Sequence, residues 1–386
     1  MRVLYVTQNT PWNPKFGGAM RSHGIVRGLD RACELHIALA PNSRSDADAF
    51  VNDNPSYQRL SVLVPDDGRD TESGMREIAS LARGRAAFGK SFGELVETVD
   101  PDIVWYSGKE SVRRVGFARS RPQVLDMVDV QWRKLQRTAQ SLRGSGRAKA
   151  LAKTAGCLLE DRWIASKADV VVVANSGETG LLGRTGRTMA LPNGFDFGDE
   201  PVYQERTSKT IVFFGSMFYY PNLDAIDWFC REIWPKVKSC IPDARLEIVG
   251  HHEGHLDSLP VDSSVSIRGF VDDLTTLLTQ SAFLIVPLRI AAGTRLKILE
   301  AWSCGLPVVT TTIGAEGLNP SHESNALIGD TPDRFADECV RLLSSPELGL
   351  ELAREGFAHG KRSFDWEAIY PILDEVLNIA ITSRRR

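Results

Sequence analysis

Short β-branched runs alternate with longer helical patterns over almost the whole chain, and few architectures accept such an order. The first series is "VLYVT" (Val3–Thr7), "LHIALA" (Leu35–Ala40), "IVWY" (Ile103–Tyr106), "QVLDM" (Gln123–Met127) and "VVVVA" (Val170–Ala174). A second series follows: "TIVFFG" (Thr210–Gly215), "RLEIVG" (Arg245–Gly250), "VSIRG" (Val265–Gly269), "FLIVP" (Phe283–Pro287) and "PVVTT" (Pro307–Thr311). Most of these runs are apolar throughout, as strands covered on both faces must be. Strands that alternate with helices build βαβ units and parallel sheets. The expected fold is therefore α/β, with two Rossmann-like, doubly wound domains. Ala190 to Thr210, rich in Pro, Gly and polar residues, reads as the linker between them. The domains are expected at 1–195 and 205–365. A last amphipathic helix, within 366–386, is expected to pack back onto the first domain.

A chain of 386 residues is longer than one core usually supports, which agrees with two domains. The net charge of -3 argues against a general nucleic-acid binder. No segment approaches the roughly 18 continuous apolar residues of a spanning helix. "MRVLYVTQ" enters a strand directly, without the apolar core and cleavage site of a signal peptide. The six cysteines are scattered with no CxxC pair, which favours reduced thiols and a cytoplasmic protein.

In open parallel sheets, ligands bind beyond the carboxyl ends of the strands, and three glycine-bearing loops fall there. In "NPKFGGAMRSHG", Gly17 and Gly18 would let backbone N–H groups approach an anion at a helix start. The spacing is not that of a dinucleotide fingerprint, and a plain tight turn is an equal reading. Gly215 and Ser216, directly after the first strand of the second half, have the same placement and the same alternative. The third loop is "IAAGTRLKILEAWSCG", Ile290 to Gly305. Gly293 and Thr294 stand at the mouth of a helix, with Thr294 as the expected N-cap and Gly305 as the closing glycine. Arg295 and Lys297 are expected in the first turn, where cations are locally unfavourable by roughly 0.3–1 kcal/mol each. A polyanion at that end would explain them. Glu300, one turn deeper, is placed to accept hydrogen bonds from hydroxyl groups, so the pattern suits a nucleoside diphosphate. The bland alternative is a solvated helix with an i,i+3 Lys–Glu pair.

The stretch "LRIAAGTRLKILEAWSCGLPVVTTTIGAEGL" resembles the donor-site segment of the retaining GT-B glycosyltransferases of family 4. "GG" after the first strand, "LPNGFD", "FFGSMFYYPNLDA", "GFVDDLTTLL" and "FDWEAI" follow in the same order as in that family. The resemblance implies two domains facing across a cleft and transfer of a sugar from a nucleoside diphosphate, with UDP as the expected carrier. Glu300 matches the second glutamate of the family's E-x7-E element, a ribose ligand, whereas the first glutamate is replaced by Ala292. The cationic pair that many members carry after the first donor-domain strand is missing from "FFGSMFYYPN", and Arg295 and Lys297 take its place. Phe270 and Val271 match the loop that contacts the base.

On the acceptor side, Asp126 and Asp129 lie at a strand's carboxyl end and are expected to face the cleft. Asp129 suits a sugar-positioning residue or general base, and equally a helix N-cap. His23, one turn beyond the first glycine loop, is a weaker acceptor-side candidate. Arg295 and Lys297 would stabilise the departing diphosphate electrostatically. "HHEGH" (His251 to His255) reads as a loop, and no metal or cofactor is expected beyond the nucleotide sugar. Between Gln131 and Leu159 there are seven Lys/Arg and no Asp/Glu. That composition suits an anionic membrane face or a lipid-linked acceptor, with a solvated helix as the default. Two other functions remain open: a sugar-nucleotide epimerase of the same architecture, and a non-catalytic nucleotide-sugar-binding subunit.

Overall fold

The computed structural model describes residues 1–8, 17–41, 59–63, 86–141, 143–183, 187–203, 206–291 and 293–383, with Gly17, Gly18 and Ser141 described by backbone alone. The chain forms two compact units. The first comprises Met1–Leu135, Ala148–Gly194 and Ile369–Arg386, and the second Gln136–Arg147 and Phe195–Ala368.

The first unit is built on β1 (Arg2–Thr7), α1 (Gly17–Ala32), β2 (Glu34–Leu39), β3 (Leu60–Val62), α2 (Gly89–Val99), β4 (Ile103–Ser107), α3 (Gly108–Val115) and β5 (Gln123–Val128). The chain continues through α4 (Gln131–Ser141) and α5 (Gly144–Ala165), of which Gln136–Arg147 belongs to the second unit, and then through β6 (Val170–Val173) and β7 (Arg187–Ala190) of the first. All strands pair in parallel in the order β3-β2-β1-β4-β5-β6-β7, so the chain winds outward in both directions from β1 and β4. β1, β4 and β6 are buried along nearly their whole length, which is why their sequences show no alternation.

The second unit contains β8 (Thr210–Phe214), α6 (Tyr220–Trp228), α7 (Trp234–Cys240), β9 (Arg245–Val249), β10 (Val265–Arg268), α8 (Leu274–Gln280), β11 (Phe283–Val286), α9 (Leu296–Ser303), β12 (Val308–Thr310) and β13 (Leu327–Ile328). Then come α10 (Pro332–Ser344), α11 (Pro346–Phe364) and α12 (Trp366–Ser383), the last mostly part of the first unit. The sheet is again parallel, in the order β10-β9-β8-β11-β12-β13, with its switch point between β8 and β11. A π-helical turn at Phe229–Ile233 joins α6 to α7, just before Pro235. A proline lacks the N–H that an α-helical ladder needs, so the ladder widens there.

All ten expected strands form. Three edge strands, β3, β7 and β13, were not expected; they are two to four residues long and carry too little pattern to read. β7 ends at Ala190, the first residue of the segment read as linker, and within that segment Phe195 makes a bridge with Asp365. Tyr370 and Leu373 of α12 pack so closely on Gly28 of α1 that an added Cβ would sit 2.6–2.7 Å from their side-chain atoms. Arg27 donates to the Tyr370 hydroxyl at 3.0 Å. No helix among the described residues is long and apolar enough to cross a membrane.

The strands β8 and β9 stop one residue short of the expected glycines. Gly215 (φ 147°) and Gly250 (φ 132°) adopt conformations that other residues rarely reach. The two backbones touch: a Cβ on Gly250 would lie 2.1 Å from the Gly215 carbonyl oxygen. Because the obstacle is backbone, it cannot rotate away. Gly250→Ala is expected to destabilise the protein by about 1–3 kcal/mol or more, as overpacking does. Thermal denaturation measures this, and an unchanged melting temperature would show that the strand ends can separate.

Candidate functional site

The carboxyl ends of β8, β9 and β11 bring together the second and third glycine loops. In α9 the residues Ile298, Leu299, Ala301 and Trp302 are buried, and Trp302 donates to the Asn325 carbonyl at 3.2 Å. That packing turns Lys297 and Glu300 to the opposite side, towards the end of β8. The helix closes on Gly305 (φ 60°), with N–H bonds from Leu306 to Ala301 and from Gly305 to Trp302.

The helix start differs from the expectation. The N-cap position is Arg295, not Thr294, and no side chain caps the helix. Among the described residues Thr294 Oγ1 has no hydrogen-bond partner. The mouth therefore keeps N–H groups that a ligand can satisfy. Arg295 is 7% exposed and donates to the Gly293 carbonyl at 2.6 Å and to that of Ile313 at 3.4 Å.

Lys297 does not pair with Glu300, so the surface ion pair of the bland alternative is not formed. Its ammonium donates to the Phe214 carbonyl at 2.8 Å and to Asn222 Oδ1 at 3.0 Å, and lies 4.5 Å from the centre of the Phe213 ring. Asn222, fixed by its own bond to the Ser216 carbonyl, is a site residue the sequence reading missed. Gly215 lies beneath both: a Cβ there would be 2.7 Å from Asn222 Nδ2 and 3.1 Å from Lys297 Nζ. Burial, then the charge of Arg295, pushes the Lys297 ammonium down to about 7, opposed by Glu300. Burial pushes the Glu300 carboxyl up to about 7, opposed by Lys297. Among the described residues the Glu300 carboxylate has no hydrogen-bond or ion-pair partner. Ala292, where the resemblance expects a further glutamate, lies outside the described residues.

An aromatic rim adjoins this cluster. Met217 N–H bonds to the His251 carbonyl at 2.8 Å, tying the loop after β8 to the loop after β9. Phe270 is 67% exposed and stacks on His251, with ring centres 5.3 Å apart. Val271 packs against the core instead. His255 meets the edge of Phe218. The histidine loop is thus engaged in ring contacts.

The first unit arranges its candidates differently. Asp126, expected to face a cleft, is buried and held by Arg21 of α1 at 2.9 Å, both side chains being 1% exposed. Arg21 also donates to the Leu191 carbonyl and to Asn193 Oδ1, each at 2.8 Å. Asp126 is therefore a tie between α1, β5 and the chain after β7, not a group open to an acceptor. Asp129 follows a register shift in β5, where Val128 takes a left-handed conformation (φ 59°). Asp126 accepts from the Val128 N–H at 3.1 Å, and the fully buried Glu178 accepts from the Val130 N–H at 3.0 Å. Glu178 was not legible as a support, because it lies 48 residues further along the chain. His23 is partly buried on α1, and Gly17 and Gly18 open that helix.

The architecture is that of the GT-B glycosyltransferases. The Anabaena protein HepE, solved in complex with UDP-glucose, superposes with a TM-score of 0.65 over 98% of this chain and 99% of its own at 15% identity. Residues 208–345, which include the whole α9 cluster, match the family described as "Glycosyl transferases group 1". An uncharacterised 44.6 kDa protein in the cps region of Klebsiella pneumoniae is 24% identical over 170 residues, 42% of this chain and 44% of that protein. A Corynebacterium glutamicum GDP-mannose-dependent monoacylated alpha-(1-6)-phosphatidylinositol monomannoside mannosyltransferase is 27% identical over 157 residues, 37% and 41% of the two chains. The matches thus span less than half the length of these curated relatives.

The low proton affinity of Lys297 makes a specific prediction. A bound diphosphate would restore its charge, so binding near pH 8 should take up about one proton. Affinity should fall as pH rises above about 7, since the free ammonium is then largely deprotonated. Calorimetry with UDP in buffers of different ionisation heat measures the uptake. It should vanish in Lys297→Met, and wild-type binding without uptake would contradict this assignment.

Proposed function

We propose that this protein is a retaining glycosyltransferase that moves a sugar from a nucleoside diphosphate to a glycan, lipid-linked or small-molecule acceptor. The observation that carries the reading is the partnerless carboxylate of Glu300 beside the desolvated Lys297 at the uncapped mouth of α9. Both side chains are half-buried, and such a set is completed by a ligand that brings hydroxyls and negative charge together. Arg295 and Lys297 would neutralise the diphosphate, Glu300 would accept from the ribose hydroxyls, and Gly215, Ser216, Gly293 and Thr294 would line the path. Phe270 would lie against the base.

In the reaction, the bond between the anomeric carbon and the phosphate oxygen breaks as the acceptor oxygen bonds to the same face. The acceptor proton passes to the departing phosphate while Asp129 positions the sugar, or else it passes to Asp129 acting as the general base. Charge stabilisation by Arg295, Lys297 and the helix end is the main contribution, with no resident metal or cofactor in the scheme. UDP is the first nucleotide to test because of the HepE complex, and GDP belongs in the same screen because of the mannosyltransferase. A cytoplasmic protein acting at the inner membrane face in glycoconjugate synthesis fits this reading.

A thermal-shift screen over nucleotide sugars should reveal the donor by a raised melting temperature. Arg295→Ala and Lys297→Ala should each weaken its binding by about 1.5–3 kcal/mol, the range for bonds to charged groups. Unchanged affinity in both would remove this site. With an acceptor, nucleoside diphosphate should be released and the product should keep the donor's anomeric configuration by NMR. Epimerised nucleotide sugar formed without acceptor would replace transfer with epimerisation.

A further inference from the structure

Helix α5 buries charge beside apolar side chains. Its inward face carries the charges: Asp161, fully buried, holds the Lys109 ammonium at 2.6 Å, and Glu160 holds the Arg113 Nε at 2.7 Å. Ile164 and Ala165 are buried on that face too, yet further apolar residues lie on the outward face. At about 100° per residue, Ala148, Ala152, Ala155, Leu159 and Trp163 share one stripe, and all are exposed. Leu159 is 70% exposed, and Leu151 at the stripe's margin is also exposed. A Cβ added to Gly156 on the same side would meet nothing within 4 Å. Exposed cations flank the stripe, Lys149 at one margin and Arg162 at the other, with the exposed Lys153 further round the helix. Asp161 is buried, and Glu160, on the same flank as Lys153, is paired with Arg113 and 9% exposed, so among the described residues of this helix no exposed carboxylate offsets these cations.

We infer that the outer face of α5 docks on an anionic lipid surface, with Leu159 and Trp163 entering the headgroup boundary and Lys149, Lys153 and Arg162 meeting lipid phosphates. An apolar stripe flanked by cations is what such a boundary selects. Charge decides against a second copy of the chain, since a face paired with its own copy would set cations against cations. The inference names a partner for the proposed transferase but stands on this face alone, and it survives if the donor site fails.

The test uses the full chain and phosphatidylcholine vesicles with or without phosphatidylglycerol. The protein should sediment with the anionic vesicles only, and release as salt rises. Leu159→Glu with Trp163→Glu, and separately Lys149→Glu with Lys153→Glu, should each weaken sedimentation about tenfold, with melting temperature and UDP binding unchanged. Brominated lipid should quench wild-type tryptophan fluorescence, and Trp163→Phe should remove most of that quenching. Absent vesicle binding, or binding that neither variant pair alters, overturns the inference. So does a dimer, seen by light scattering, that the Leu159 and Trp163 changes dissociate, because the occupant is then a second copy.

Discussion

The candidate site depends on one unfavourable arrangement: an ammonium group set among aromatic rings, one carbonyl and one amide, with a second cation nearby and no carboxylate in contact. Desolvation penalises a charge steeply, and neighbouring like charge adds to the penalty. Lys297 bears both. Glu300, desolvated and unpartnered, bears the complementary cost. Below pH 4.5 the carboxyl is neutral in folded and unfolded chains alike. From there to about 7 the folded chain holds the proton more tightly, so the site loses stability as pH rises. Between about 7 and 10.5 the unfolded chain holds the lysine proton more tightly, so stability returns as pH rises. The empty site is thus least comfortable near neutrality. A ligand that brings anionic oxygens to the lysine and hydroxyls to the glutamate relieves both groups at once.

The backbone makes that arrangement possible. Gly215 and Gly250 touch without side chains, which leaves the end of β8 open for Lys297 and Asn222 to reach it. Trp302 and its buried neighbours fix the rotation of α9, so the polar face cannot swing away from the sheet. The tight closure at Gly305 sets the helix length, and α11 approaches Trp302 closely enough that Gly356 could not carry a Cβ without a clash. Apolar packing therefore positions the polar groups that it cannot itself satisfy.

Much of this could be read in the chain. Continuous apolar runs with regular spacing identified both parallel sheets, because strands covered on two faces leave a strong compositional trace. The helix "LKILEAWS" and its closing glycine were legible for the same reason. The first turn was not: Thr294 is a good capping residue by type, yet the chain enters with Arg295 at that position. Local capping preference is worth about 1 kcal/mol and yields readily to tertiary packing. Asn222 and Glu178 escaped notice because they act across long sequence separations, through bonds to Lys297 and to the Val130 amide. Asp126 looked available because a carboxylate at a strand end usually faces a ligand, and its partner Arg21 lies 105 residues away.

The first unit shows a second use of unfavourable geometry. A β-branched residue in a left-handed conformation, as at Val128, costs on the order of 1–3 kcal/mol and persists only when its surroundings insist on it. Here they do so from both sides. Asp126, immobilised by Arg21, grips the Val128 amide, while Glu178 grips the amide of Val130. Between those two clamps lies Asp129. The Arg21–Asp126 pair is a weak source of stability, since desolvating both ions offsets most of their attraction. Its value lies in direction: it fixes the point where β5 ends and so the place from which Asp129 leaves the sheet. In the first unit, then, a buried ion pair that contributes little to folding determines where a strand's carboxyl end presents its chemistry.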